Sequence, residues 1–153
     1  MRDAEAGDVP FLRALFGSAR PDAQVLASWP AQQRELFLDD QFRFQSMHYR
    51  RVYEHADFLI VEREGKPVGR LILDRRPDDW RIVDISLLPQ SRGRGLGTAL
   101  LRAVQREAVS AGAKTVSLSV ENANPARALY ARLGFVEGED GGTHLAMAWP
   151  AVS

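Results

Sequence analysis

The sequence predicts a mixed α+β (α/β) fold, on three observations. Apolar runs between residues 58 and 88 are broken by two polar turns, as in an antiparallel meander. A glycine-rich turn then leads into a helical repeat and a further strand, a β-loop-α-β unit that closes by a right-handed crossover. Two helical stretches precede the meander. At 153 residues the chain fits one domain, residues 1–153, with a core of its own.

The elements follow from the residues in order. Asp8 stands where a first helix would be capped, Pro10 suits its first turn, and Phe11, Leu12, Leu15 and Phe16 form its apolar face before Arg20-Pro21 stops it. Only residues 1–4 precede that helix, so a strand there must be short or missing. Pro30 introduces a second helix, about residues 31–52. Its Leu36, Phe37, Leu38, Phe42, Phe44, Met47 and Tyr49 spread over more than one stripe, which predicts a helix that is largely buried or lines a cavity. Glu35, Asp39 and Asp40 share a side that could attract a cationic amine, although such a face is more often simply solvated. Gln41, Gln45 and His48 align along one face as polar groups able to touch a substrate.

Strands are expected at 58–62, 67–74 and 80–88, with turns at 63–66 and 76–79. Along the third, Val83, Ile85 and Leu87 point one way and Ile82, Asp84 and Ser86 the other. A carboxylate in an apolar strand costs stability unless it is paired or faces a cleft. Asp84 is therefore either a cross-strand partner of Arg70 or Arg81, or a functional group. Beyond the glycines, Leu96, Leu100, Ala103, Val104, Ala108 and Ala111 repeat at helical spacing, and Gly112 sits where a C-terminal cap belongs. Residues 115–120 alternate as a strand parallel to 80–88. Pro125 opens another short helix with Ala128, Leu129 and Leu133 on its apolar edge, and Gly134 ends it before Phe135-Val136 begins a strand. Residues 137–142 read as a turn and 143–149 as the last strand.

Composition excludes several functions. With 20 basic and 20 acidic residues the formal charge is zero, against a nucleic-acid or membrane-surface binder that works by neutralising phosphates. Cysteine is absent, which excludes disulfides, thiolate metal sites and an acyl-cysteine intermediate. No apolar run reaches the roughly 20 residues of a membrane span, and the opening MRDAEAGD does not read as a signal peptide. A soluble, cytoplasmic protein without membrane or metal is the expectation.

The stretch with the most chemistry is LLPQSRGRGLGT, residues 87–98, which sets three glycines and two arginines at the entrance of a helix. Such a turn aims unpaired N–H groups and the positive end of a helix dipole at whatever lies in front. Gly93, Gly95 and Gly97 leave the approach open, and Arg92 and Arg94 add charge in a fork that suits phosphate. Gly97 is followed by Thr98 with no lysine, so this is no Walker loop, and G-x-G-x-G is not the dinucleotide spacing. Residues 92–97 instead resemble the Q/R-x-x-G-x-G/A signature of the GNAT superfamily of N-acetyltransferases. Residues 124–135, NPARALYARLGF, resemble the N-x-A-x-x-L-Y-x-x-x-G-F motif of the same superfamily. The two occur in the right order, one helix and one strand apart, and cover about residues 80–136.

The resemblance implies a GNAT-type central mixed sheet of about six to seven strands flanked by four helices, with parallel strands 4 and 5 splayed apart. It implies acetyl-CoA as cosubstrate and no metal. Pantetheine would lie between the splayed strands, held by backbone groups of Ile85, Leu87 and Leu88. Arg92, Gly93, Arg94, Gly95, Leu96, Gly97 and Thr98 would hold the pyrophosphate, and Asn124 would touch the pantetheine arm. Tyr130 would face the thioester sulfur, where a phenol of ordinary pKa near 10 can protonate a leaving thiolate. The base that frees the attacking amine is less defined. Ser119 stands where some members carry a glutamate and cannot serve; water aided by Asp84 is favoured over Glu121. An N–H of the strand, that of Leu87, would polarise the carbonyl. The acceptor implied is a small-molecule amine or a protein amino group, attacked directly in a ternary complex, and a homodimer is possible. The alternative is a non-catalytic acyl-CoA sensor that keeps the cradle.

Overall fold

The computed structural model describes residues 1–151. A two-residue strand β1 (Arg2–Asp3) is followed by three helices, α1 (Val9–Ser18), α2 (Ala23–Ala27) and α3 (Ala31–Val52). Then come β2 (Asp57–Arg63), β3 (Lys66–Arg75) and β4 (Asp79–Leu87), the expected meander. Helix α4 (Leu96–Ser110), β5 (Thr115–Glu121), α5 (Ala126–Arg132), β6 (Val136–Asp140) and β7 (His144–Pro150) complete the chain. The strands form one seven-stranded sheet in the order β1-β2-β3-β4-β5-β7-β6. The fold is therefore α+β, with a parallel β4–β5 pair in an otherwise antiparallel sheet. The first strand is indeed short, with Arg2 opposite Ile60 and Asp3 opposite Leu59. Five α-helices stand where four were expected, because α2 is five residues long and too short to show a period.

The chain divides into two compact units, residues 1–71 with 86–91, and residues 72–85 with 92 onward. In the first, Leu15 of α1, Leu26 of α2 and Leu38 of α3 are buried, and the Phe16 and Phe42 rings meet at 5.7 Å. Asp8 does precede α1, but its carboxylate makes no cap there. It accepts the Glu5 N–H at 2.7 Å and a bidentate pair from Arg2 at 2.8 and 2.7 Å, so it ties β1 to the turn before the helix. Glu35 and Asp39 do not await an amine: Arg13 holds them at 2.9 and 2.7 Å, and Asp40 pairs with Arg43 at 2.7 Å. Helix α3 corrects the sequence reading in part. Only Leu38 of its residues is fully buried, since packing uses one narrow stripe, yet Phe42, Ser46 and Arg50 do line a cavity of about 450 Å³. Gly69 is required by a close approach: a Cβ there would run into the Ser86 carbonyl oxygen.

The second unit holds the rest of the sheet. Leu100, Leu101, Val104 and Ala108 of α4 are buried, as are Val116, Leu118 and Val120 of β5 and Leu145 and Met147 of β7. Each of the Leu, Val and Met side chains removes enough apolar area to contribute roughly 1.5–3 kcal/mol. Gly112 ends α4 at φ 81°, with Gly112 N–H bonded to Val109 and Ala113 N–H to Ala108, a Schellman motif. Gly134 ends α5 in the same way at φ 95°, with Gly134 N–H on Ala131 and Phe135 N–H on Tyr130. Residues 137–142 are not simply a turn. Residues 136–140 form β6, an edge strand exposed along its whole length and paired with β7 through an irregular register.

Candidate active site

Strands β4 and β5 set the geometry. Their parallel pairing covers only Asp79 opposite Thr115, Trp80 opposite Val116 and Arg81 opposite Ser117. Beyond Arg81 and Ser117 the two strands part, as the splayed pair implied. Asp79 stitches the closed end: its carboxylate accepts the Thr115 hydroxyl at 2.8 Å and the Ser117 hydroxyl at 2.6 Å. The Asp78 carbonyl adds the Lys114 and Thr115 N–H groups at 2.7 and 3.1 Å. Sequence reasoning placed both aspartates in a turn and missed this clamp, because its partners lie 36 and 38 residues away from Asp79. Ile85 of β4 and Glu121 of β5 lie in the segments beyond that register.

The glycine loop of the second unit has the form an anion requires. Gly93 and Gly95 are left-handed at φ 77° and 76°, and Gly95 is the residue before α4. Neither glycine is forced by crowding, since a Cβ on either would meet nothing within 4 Å; the backbone conformation is what demands them. The Ala99 N–H is bonded to the Gly95 carbonyl at 3.0 Å, and no side chain caps the helix. The N–H groups of Leu96, Gly97 and Thr98 thus have no partner within the helix and lie at the positive end of its dipole. Arg92 and Arg94 are exposed beside them. A diphosphate fits this cradle on its donor set: several N–H groups, a dipole and two guanidinium groups.

Tyr130 is buried in α5, its ring 5.8 Å from Phe135 in an edge-on contact. Its hydroxyl makes no hydrogen bond among the described residues. Burial pushes the phenol pKa above its ordinary value, and the negative charge of Asp84 pushes it further the same way. The group therefore stays protonated at neutral pH, and Asp84 is the carboxylate that acts on it. Asn124 is exposed, and its Oδ1 accepts the Ala126 N–H at 2.9 Å, so it helps start α5. Ser119 and Glu121 are exposed on β5.

Of the sequence-predicted residues, Asp84, Ile85, Arg92 to Thr98, Asn124 and Tyr130 all fall in the second unit. Leu87 and Leu88 fall in the first, where the Leu88 N–H is committed to the Val68 carbonyl at 2.8 Å and the Leu88 carbonyl accepts Ser91 at 2.9 Å. Gln45 accepts a hydrogen bond from Arg70 at 3.2 Å, which ties it to the sheet. His48 is exposed, and Gln41 is half-buried. Among the described residues no cluster of His, Cys, Asp or Glu could hold a metal ion, and no helix is long and apolar enough to cross a membrane.

Known proteins resemble this chain in sequence and in fold. A Bacillus subtilis protein provisionally named a ribosomal protein bS18-alanine N-acetyltransferase is 32% identical over 85 residues, 55% of this chain and 56% of that one. The chain thus matches only about half the length of such curated relatives. The PaiA N-acetyltransferase of Thermoplasma acidophilum, solved with coenzyme A, superposes with a TM-score of 0.72 at 14% identity, over 97% of this chain and 96% of that one. The Escherichia coli ribosomal-protein-S18-alanine N-acetyltransferase superposes at 0.68 with 23% identity, over 99% and 93%. The model of the acetyltransferase (GNAT) family matches residues 18–135, and by that match the chain belongs to this family.

Proposed function

We propose that this chain, acting as a single domain of residues 1–153, moves an acetyl group from acetyl-CoA to a primary amine. The observation that carries the reading is the left-handed turn at Gly93 and Gly95, which leaves three N–H groups at the start of α4 without an intrahelical partner. The thioester would supply the activated acetyl carbon. Leu96, Gly97 and Thr98 bind the diphosphate through their N–H groups, aided by Gly93, Gly95 and the Arg92 and Arg94 guanidinium groups. Ile85 and Leu87 offer main-chain groups to the pantetheine amides, and the Leu87 N–H polarises the acetyl carbonyl. Asn124 adds a polar contact to the same arm.

Asp84 assists a water that removes the proton from the acceptor ammonium, whose ordinary pKa near 10.4 keeps it charged otherwise. The amine nitrogen then bonds to the acetyl carbon, and the carbon–sulfur bond breaks. Tyr130 gives its proton to the departing thiolate, and its raised pKa keeps that proton in place until then. Acceptors to assay first are an alanine amino group of a ribosomal protein, named for the Bacillus subtilis relative, and small primary amines. A cytoplasmic setting is part of this reading and rests on the sequence alone. The test is incubation with acetyl-CoA and an amine panel, reading free thiol. Amine-dependent thiol release supports transfer; acetyl-CoA binding without release by any amine supports a sensor; no binding refutes both.

A further inference from the structure

Gln105 is a polar residue at a core position. It stands on α4 in the stripe of Leu101, Val104 and Ala108 that the helix buries, and it is itself only 8% exposed. An amide taken out of water there costs stability unless it is hydrogen-bonded. Its partner lies on another element: Nε2 donates to the main-chain carbonyl of Leu133, 28 residues on, at 2.9 Å. A carbonyl can only accept, so the amide nitrogen is the end that faces it.

Leu133 is the residue that closes α5. The last carbonyls of a helix have no partner within it. Those of Tyr130 and Ala131 take the N–H groups of Phe135 and Gly134 at 3.0 and 3.1 Å, and that of Leu133 takes Gln105. Helix α5 has seven residues, too few to hold its place by its own hydrogen bonds. Asn124 bonds its start from the adjacent turn, whereas Gln105 reaches its end from the helix whose first turn forms the cradle. At 1.5 Å per residue Gln105 lies about 15 Å along that helix from Gly95. The coenzyme sets the span between its diphosphate and its sulfur, so cradle and phenol serve one molecule only if α4 and α5 keep a fixed offset.

We propose that Gln105 is a positioning residue for the acetyl transfer: by holding the Leu133 carbonyl it sets α5, and with it the Tyr130 hydroxyl, against the helix that grips the diphosphate. What an amide adds over the apolar side chains of the same stripe is direction. A hydrogen bond weakens steeply off its axis, whereas apolar contact has no preferred angle. The inference rests on the reading of Tyr130 as the acid that protonates the thiolate.

Gln105→Met tests it, since the substitution keeps the length and the burial and removes the donor. Its kcat should fall by about 10- to 100-fold while acetyl-CoA affinity by calorimetry stays within about twofold. In the Tyr130→Phe background the same substitution should add less than about twofold, because the group it positions is gone. The chain has three tyrosines, so in protein labelled with 3-fluorotyrosine the resonance lost in Tyr130→Phe belongs to Tyr130. Gln105→Met should move that resonance and leave the other two. If Gln105→Met does not fold, Gln105→Asn, whose amide ends one methylene short, takes its place with the same readouts; failure of both to fold would make the residue a structural one and overturn the proposal. It is equally overturned by an unchanged kcat in a background where Tyr130→Phe is slow, by losses that multiply in the double variant, or by affinity that falls in step with kcat. A Tyr130→Phe variant as fast as the wild type would instead remove the acid itself, and this inference with it.

Discussion

Helices α3 and α4 are both rich in apolar residues, and they spend them in opposite ways. Helix α3 has 22 residues and fully buries one, Leu38. Helix α4 has 15 and buries Leu100, Leu101, Val104, Gln105 and Ala108. In α4 the apolar positions repeat three and four apart along one stripe, so one packing surface takes them all. In α3 they scatter around the axis, and no single surface can. Apolar content therefore announces burial only when its period agrees. The ends differ as well: glycines fix both the entry and the exit of α4, whereas α3 starts after Pro30 with no side-chain cap.

The contrast can be broken most sharply at the entry of α4. Gly95→Glu puts a carboxylate into the cradle at φ 76°, and calorimetry should find acetyl-CoA binding lost; Leu36→Glu on α3 should leave that affinity unchanged. Retained binding in Gly95→Glu would remove the cradle from the scheme. Next in size is Tyr130→Phe, which keeps the ring against Phe135 and removes the proton. Its kcat should fall by about 10²- to 10⁴-fold with little change in acetyl-CoA affinity, and unaltered turnover would end the acid role.

Stability measurements then compare the helices directly. Leu101→Ala empties a site that is 1% exposed and should cost about 2–5 kcal/mol in urea titrations. Phe44→Ala, at 61% exposure, should stay within about 0.5 kcal/mol. Comparable losses would mean that α3 is packed after all. The smallest effect is acid-dependent and belongs to the first unit. Hydrogen bonds from Arg2 and the Glu5 N–H hold the Asp8 carboxyl at about 2, below its ordinary 3.8. A depressed pKa stabilises the fold above the unfolded value and loses that contribution as pH falls through the folded one. The melting temperature should therefore drop between about pH 4 and pH 2 in the wild type, and Asp8→Asn should flatten that drop.

These differences also mark what the sequence could show. Gly112 and Gly134 were legible as helix ends because each needs a positive φ, a property of one residue in one place. The three strands of the meander were legible from apolar runs between polar turns. Strand β6 was not: EGED lies on an exposed edge with neither face buried, so no alternation marks it. The Asp79 clamp was hidden because its meaning lies in hydroxyls of a strand that follows a whole helix later. Tyr130 was legible as a residue of a motif, but its burial and the influence of Asp84 on it come from tertiary packing alone.

The parting of β4 from β5 after three residue pairs has a further consequence. A recognition surface made of peptide groups is indifferent to which side chains stand behind it, provided the trace of the chain is kept. Drift in sequence then costs such a surface little, while a shift of backbone costs it much. The path of the chain is what this protein keeps in common with a solved structure that shares only 14% of its residues.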